Sequence, residues 1–376
     1  MSGLDPAAYP RTWAVLSAAL GAHAERAAWP AHVWQRAWAL GVGPTLVGFA
    51  RGRGVEVPGE IGRLVLASAA AGVARRHQMR AVLAAMGEIG CLIHKGDPLG
   101  QGLYGDVRWR ASGDVDLLIE LCAVEAAAQA LRGLGYAPLY GMERPEPLLV
   151  DEWGWRHEGT GQVVELHWSL AAPHIPSPSW ARLWAGRREV LVSGGRCMIM
   201  GEADELLGLC YHFHHHVGHL KGLVDVASWL DQRGRGAAYG EALGVAREIG
   251  AEGVVRWPED AIGCLEGRSY GGVLSRWTAG VVRGAFERDG AGAGFKVTGL
   301  SQAQIACWQA AGGLALDGWE RRFGAVLYPF FYSPQVWAWR RGSEAVGWRD
   351  RATWVMRPGV MMVKQLKNVI FGSAGA

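Results

Sequence analysis

Ser112-Gly113-Asp114-Val115-Asp116-Leu117-Leu118-Ile119 places two aspartates, one residue apart, at the head of an apolar run that reads as a strand. Side chains alternate across a strand, so Asp114 and Asp116 share one face while Val115, Leu117 and Ile119 take the other. Two carboxylates held that close repel each other unless a cation lies between them. A hard, oxygen-seeking ion such as Mg2+ suits the pair. A carboxylate pair backed by a buried strand is a platform for phosphoryl or nucleotidyl transfer. The competing reading is a turn in which the carboxylates cap backbone N–H groups.

The 376-residue chain is long enough for two or three packed units. A hydrophobic content of 50% with 19% charged residues excludes a disordered chain, and a net charge of +3 gives no case for nucleic-acid binding. Six cysteines (Cys91, Cys122, Cys197, Cys210, Cys264, Cys307) contain no CxxC pair, which points to reduced thiols and a cytoplasmic location. Residues 1–13 show no secretion signal, and the apolar stretch 64–74 is too short to span a bilayer. The nineteen tryptophans read as large core and groove residues.

Three segments follow from the periodicities. Residues 1–90 read as a helical N-terminal region, with residues 75–88 as its clearest helix. Residues 91–200 read as a mixed core: a short strand at 91–93, strands at 115–119 and 163–168, a helix at 123–133, and a hairpin over 190–200 turning at Ser193-Gly194-Gly195. Residues 201–376 return to helices, with a loop over 234–240, a linker at 290–294, and a tail rich in Trp, Tyr and Arg. The fold class expected is α+β, a small mixed β-sheet flanked by helical regions. Arginines 340, 341, 349, 351 and 357 alternate with tryptophans in the tail; surface cation–π packing accounts for them without a membrane.

Further residues bear on the chemistry. Glu165 sits between Val164 and Leu166 on a later strand, where it can complete a two-metal cage and serve as base for an attacking hydroxyl. The alternative is a rim glutamate facing solvent. Lys95-Gly96 follows a strand and precedes a helix, a place where backbone can approach phosphate. Arg110 can neutralise a polyphosphate or pair with one of the aspartates. His212/His216 and His215/His219 have the i, i+4 spacing of paired zinc ligands, but the run carries no glutamate of the zinc-protease kind. Asp225 can pair with one of these histidines.

In order along the chain stand Gly41-Val42-Gly43-Pro44-Thr45-Leu46, His94-Lys95-Gly96, Arg110, Asp114-Val115-Asp116-Leu117-Leu118-Ile119, Glu165-Leu166-His167-Trp168, the 212–219 histidine run and Leu223-Val224-Asp225. Together they resemble a family of bacterial uncharacterised nucleotidyltransferases within the DNA polymerase β-like nucleotidyltransferase superfamily. Two positions depart from that pattern. Glu165 stands where the family has aspartate, and Asp97 follows Gly96 where the wider superfamily has serine or glycine.

The resemblance implies a metal-dependent transferase moving a nucleotidyl or phosphoryl group from an NTP to a hydroxyl of a small molecule or peptide, including a ribosomally made peptide. Asp114, Asp116 and Glu165 would be catalytic and hold Mg2+ or Mn2+, and Lys95, Gly96, Arg110 and Ser112 would bind the nucleotide. His167, His212, His216 and Asp225 would face the acceptor. No nucleic-acid or membrane partner is expected. The alternative is a non-catalytic nucleotide- or peptide-binding protein on the same fold; a histidine-based zinc hydrolase is a third reading.

Overall fold

Leu117, Leu118 and Ile119 follow one another along one strand and all three are buried, so the strand is covered on both faces. The computed structural model describes residues 3–22, 28–139, 145, 150–173, 175–192, 195–215 and 220–268. Four helices come first: α1 (Pro10–Leu20), α2 (Ala31–Ala39), α3 (Gly43–Gly52) and the 28-residue α4 (Gly59–Met86). The mixed region follows as β1 (Cys91–Ile93), α5 (Asp97–Tyr104), β2 (Asp114–Ile119), α6 (Val124–Gly133), β3 (Tyr136–Pro138), β4 (Glu152–His157), β5 (Val163–His167), α7 (Trp180–Ala185), β6 (Arg188–Val192) and β7 (Gly195–Ile199). The last described helices are α8 (Glu202–His215), α9 (Leu220–Arg233), α10 (Ala237–Glu248) and α11 (Glu252–Leu265). The class is α+β, as expected.

The strands form one seven-stranded mixed sheet in the order β3-β4-β5-β2-β1-β7-β6. β2 pairs antiparallel with β1 and parallel with β5, which puts it at the centre. Alternation along the central strands sorts their residues between two cores. Val115, Leu117, Ile119, Val164 and Leu166 pack under α4 and α6 with Val82, Met86, Ala127 and Leu131. Leu92 and Leu118 point the opposite way, into a core with Leu206, Leu209 and Leu223 of α8 and α9. Asp116, which lies two residues from Leu118, therefore faces the helical side.

That second core also contains Leu16, Trp34 and Phe49 from the N-terminal helices and Trp229 and Trp257 from the C-terminal ones. The two helical regions thus share one apolar interior although the sheet separates them in sequence. Asp231 of α9 strengthens the junction by accepting hydrogen bonds from the backbone N–H groups of Arg11 and Thr12, at 3.1 and 2.9 Å, in the first turn of α1. No helix among the described residues is long and apolar enough to cross a membrane.

Several sequence expectations need correction. The loop read over 234–240 is shorter, because α10 starts at Ala237 and includes Gly240; burial of Tyr239, Ala242 and Leu243 on one face outweighs the weak helix propensity of its glycines. β3 and β4 were not foreseen. The signal for β4 is Trp153 and Trp155, spaced by two and both buried, although Gly154 interrupts the pattern. β6 and β7 form the expected antiparallel pair; Ser193 and Gly194 of its turn, the 290–294 linker and the aromatic tail lie outside the described residues.

Among the described residues, Asp225 pairs with no histidine. Its carboxylate accepts from Arg110 Nε at 3.1 Å and Nη2 at 2.9 Å, and from the Tyr104 hydroxyl at 3.0 Å. Both ionic side chains are essentially sequestered, at 3% and 1% exposure, so each needs the other to offset its lost hydration. The pair fastens the segment leading into β2 to α9. Asp225→Ala should therefore lower unfolding free energy by about 3–5 kcal/mol, measured by urea denaturation, while the double variant Arg110→Met/Asp225→Leu should recover most of that loss. Additive losses in the double variant would show that the two groups act separately.

Candidate active site

The pairing of β2 with β5 builds the site. Their parallel register sets Asp116 opposite Glu165 and Leu118 opposite His167. Because Glu165 and His167 are two residues apart on β5, both project to the face that Asp116 occupies. Single ligand atoms of Asp116, Glu165 and His167 all lie within 4.8 Å of one another. Asp114 begins β2 two residues earlier, on the same face; its pKa is raised by burial and then by repulsion from Asp116 and Glu165. The three predicted carboxylates therefore share one cleft, with Asp116 and Glu165 the closer two.

Two cations meet on one oxygen of Asp116. Lys95 Nζ and His167 Nε2 each stand 3.2 Å from Oδ1. Burial alone would raise the Asp116 pKa, yet the charge of Lys95 and the hydrogen bond and charge of His167 outweigh it and hold the carboxyl well below its ordinary value. His167 also lies 3.6 Å from Glu165 Oε2 and 3.5 Å from Glu152 Oε2. Burial pulls the imidazolium pKa down, but hydrogen bonds to Asp116 and Glu165 and the charge of Glu152 push it up to about 10. Lys95 is raised for the same reason: Asp116, Asp114 and Glu165 overcome its desolvation.

Lys95-Gly96 turns the chain from β1 into α5. Gly96 has φ +80° and ψ −140°, a backbone shape closed to other residues without strain. A Cβ at this position would sit 3.7 Å from the Ser112 hydroxyl, so Gly96 and Ser112 are neighbours at the mouth of β2. The Asp97 carboxylate is held by α4. Arg75 Nη2 and Arg76 Nη1 of α4 each hold one of its oxygens at 3.0 Å, and Arg75 Nη1 donates to the Ser112 carbonyl at 2.6 Å. The departing residue Asp97 is thus neutralised by two arginines of α4, one of which also braces Ser112.

Of the other predicted residues, His212 on α8 places Nδ1 3.4 Å from Lys95 Nζ, which brings it to the cleft. His167 belongs to the carboxylate cluster itself. Arg110 and Asp225 are joined to each other in the buried pair described above, and Arg110 remains close enough for Asp116 to act on its charge. His216 and His219 lie outside the described residues; among those described, the metal-capable cluster is Asp116, Glu165 and His167 rather than a pair from the histidine run.

Sequence reasoning missed Glu152, His94 and Lys221. Glu152 is the β4 partner of His167 in the sheet register, a contact hidden because β4 was not read as a strand. His94 is buried with its ring centroid 5.9 Å from that of His167; burial, then Lys95 and His167, keep its pKa well below the ordinary value, so it is neutral. Lys221 stands one helical turn before Asp225 on α9, in the motif that had drawn attention only to Asp225.

The donor set fits a divalent ion. Asp116 and Glu165 supply hard oxygens and His167 an imidazole, a combination open to Mn2+ as well as Mg2+. Without metal, the His167 imidazolium is linked to folding. Its raised pKa makes its contribution full below the unfolded value of about 6.5 and lost as pH climbs towards about 10. In chelator-treated buffer, the stability gap between wild type and His167→Gln should be widest below pH 6.5 and close towards pH 10. Urea midpoints across that range check it; a gap independent of pH would contradict the raised imidazolium.

The pattern that defines a family described as "uncharacterised nucleotidyltransferase" matches residues 32–256, more than half of the chain. No curated protein and no solved structure matches it. The matched span takes in Gly96, Asp114, Asp116, Glu165, His167 and Asp225, and so contains the whole cleft. The chain belongs to this family of uncharacterised nucleotidyltransferases.

Proposed function

We propose that the protein is a metal-dependent transferase that moves a nucleotidyl or phosphoryl group from an NTP to a hydroxyl of a small-molecule or peptide acceptor. The observation that carries this reading is the register match of Asp116 with Glu165, which with Asp114 concentrates anionic ligands in one cleft beside the His167 imidazole. Mg2+ or Mn2+ held there would supply Lewis-acid stabilisation of charge on the phosphoryl oxygens.

The chain's own residues divide the remaining work. Gly96 gives the polyphosphate a backbone it can approach closely, with the Ser112 hydroxyl alongside. Lys95 can exchange the Asp116 carboxylate for a phosphate oxygen without leaving the cleft, since both partners are anions. Glu165 is the better placed of the register pair to take a proton from an acceptor hydroxyl: 26% of its side chain is exposed, against 3% for Asp116. His167 and Glu152 hold the Asp116–Glu165 pair in orientation through the imidazole.

One observation favours the non-catalytic alternative. Lys95 and His167 already neutralise Asp116 between them, and such a balance can stand without an ion. The two readings separate in one assay. With each NTP, Mn2+ or Mg2+ and a panel of hydroxyl acceptors, wild type should release pyrophosphate or the nucleoside diphosphate, and Asp116→Ala should lose at least about 100-fold of that rate. Nucleotide binding that ignores both the metal and the substitution supports the binding protein instead.

A further inference from the structure

The basic groups around the cleft are almost all committed. Lys95 and His167 pair with Asp116, Arg110 with Asp225, and Arg75 and Arg76 with Asp97. Lys221 is different. It is half-buried on α9 and, among the described residues, has no hydrogen-bond or ion-pair partner. Its position is nevertheless specific. Residues four apart on a helix lie one above the other, so Lys221 sits on the face of α9 that carries Asp225 and its bond to Arg110.

Its ammonium feels the charges of the site. Asp114 and Asp116 attract it, and Arg110 repels it, without any of them reaching bonding distance. Burial, then Arg110, bring its pKa down to about 8, against the opposing pull of Asp225, Asp114 and Asp116. An ammonium that feels an acidic pair without bonding to it can take another anion. A polyphosphate held on the carboxylates through a divalent ion would offer it free oxygens.

We infer that Lys221 is a substrate-binding residue, receiving a phosphate oxygen of the NTP from the α9 side, opposite the Asp114–Asp116 pair. The inference rests on the transferase reading above and adds a residue from the helical layer to a site otherwise built on the sheet. It assigns the triphosphate to the space between β2 and α9, with Lys95 and Lys221 approaching from different elements. Binding of substrate would then draw the helical layer and the sheet together through charge.

The test is equilibrium binding of each fluorescent NTP to the full chain in Mn2+, with the corresponding nucleoside as control, for wild type, Lys221→Met, Lys221→Gln and Lys221→Arg. Loss of one charged contact predicts about 10- to 100-fold weaker NTP binding in the Met and Gln variants. Nucleoside affinity should stay equal, and Arg should restore most of the loss. Thermal midpoints accompany each variant, and Gln stands in if Met alone fails to fold. Unchanged NTP affinity, or an equal loss for the nucleoside, would overturn the assignment of Lys221. Failure of wild type to bind any NTP would overturn the transferase reading itself.

Discussion

The parallel register of β2 on β5 is the constraint on which the site depends. It sets Asp116 against Glu165 and places His167 one pleat further along. A slip of one residue in β2 would turn Asp116, and in β5 Glu165 and His167, to the opposite face, into the apolar interior under α4 and α6, where ionised groups have no compensation. The slipped strand would also expose Leu117 or Val164 to the cleft. Packing and chemistry therefore select the same register. Leu117, Ile119, Val164 and Leu166 hold it from below while the acidic face is kept for ligands.

Charge is distributed with the same economy. The cleft keeps Asp114, Asp116, Glu165 and Glu152 close to Lys95 and His167, whereas the other acidic groups nearby are tied back. Asp97 is held by two arginines of α4, and Asp225 by Arg110. These two buried pairs anchor opposite ends of the β1–β2 connection, the first to α4 and the second to α9. Breaking either would leave an unpaired buried charge and also shift the segment that positions Gly96, Ser112 and Asp114. The acidic pair is thus held from both flanks by ion pairs.

Much of this was legible in the sequence because it is encoded locally. The spacing of Asp114 and Asp116, the alternation around Glu165 and the glycine after Lys95 each specify a strand face or a turn, and all three are found where the pattern puts them. What could not be read depends on long-range pairing. Nothing near Asp97 announces Arg75 and Arg76, since a charge twenty residues away becomes a partner only once α4 packs against the β1–α5 turn. Arg110 and Asp225 looked like separate phosphate and acceptor contacts because their union requires α9 to dock. Glu152 escaped because β4 has a glycine at its centre and lies beyond a segment with little periodic pattern. Lys221 escaped because a lone lysine on a helix carries no signal until its neighbours are known.

The central claim is that Asp116, Glu165 and His167, with Asp114 beside them, hold a divalent ion that carries the nucleotide. A crystal structure with Mn2+ and a non-hydrolysable NTP analogue, phased to show the anomalous signal of manganese, addresses it directly. The account predicts a manganese peak between the carboxylates of Asp116 and Glu165, with the triphosphate beside Gly96. A nucleotide bound elsewhere, or a cleft without manganese in which Lys95 and His167 still clasp Asp116, would contradict it.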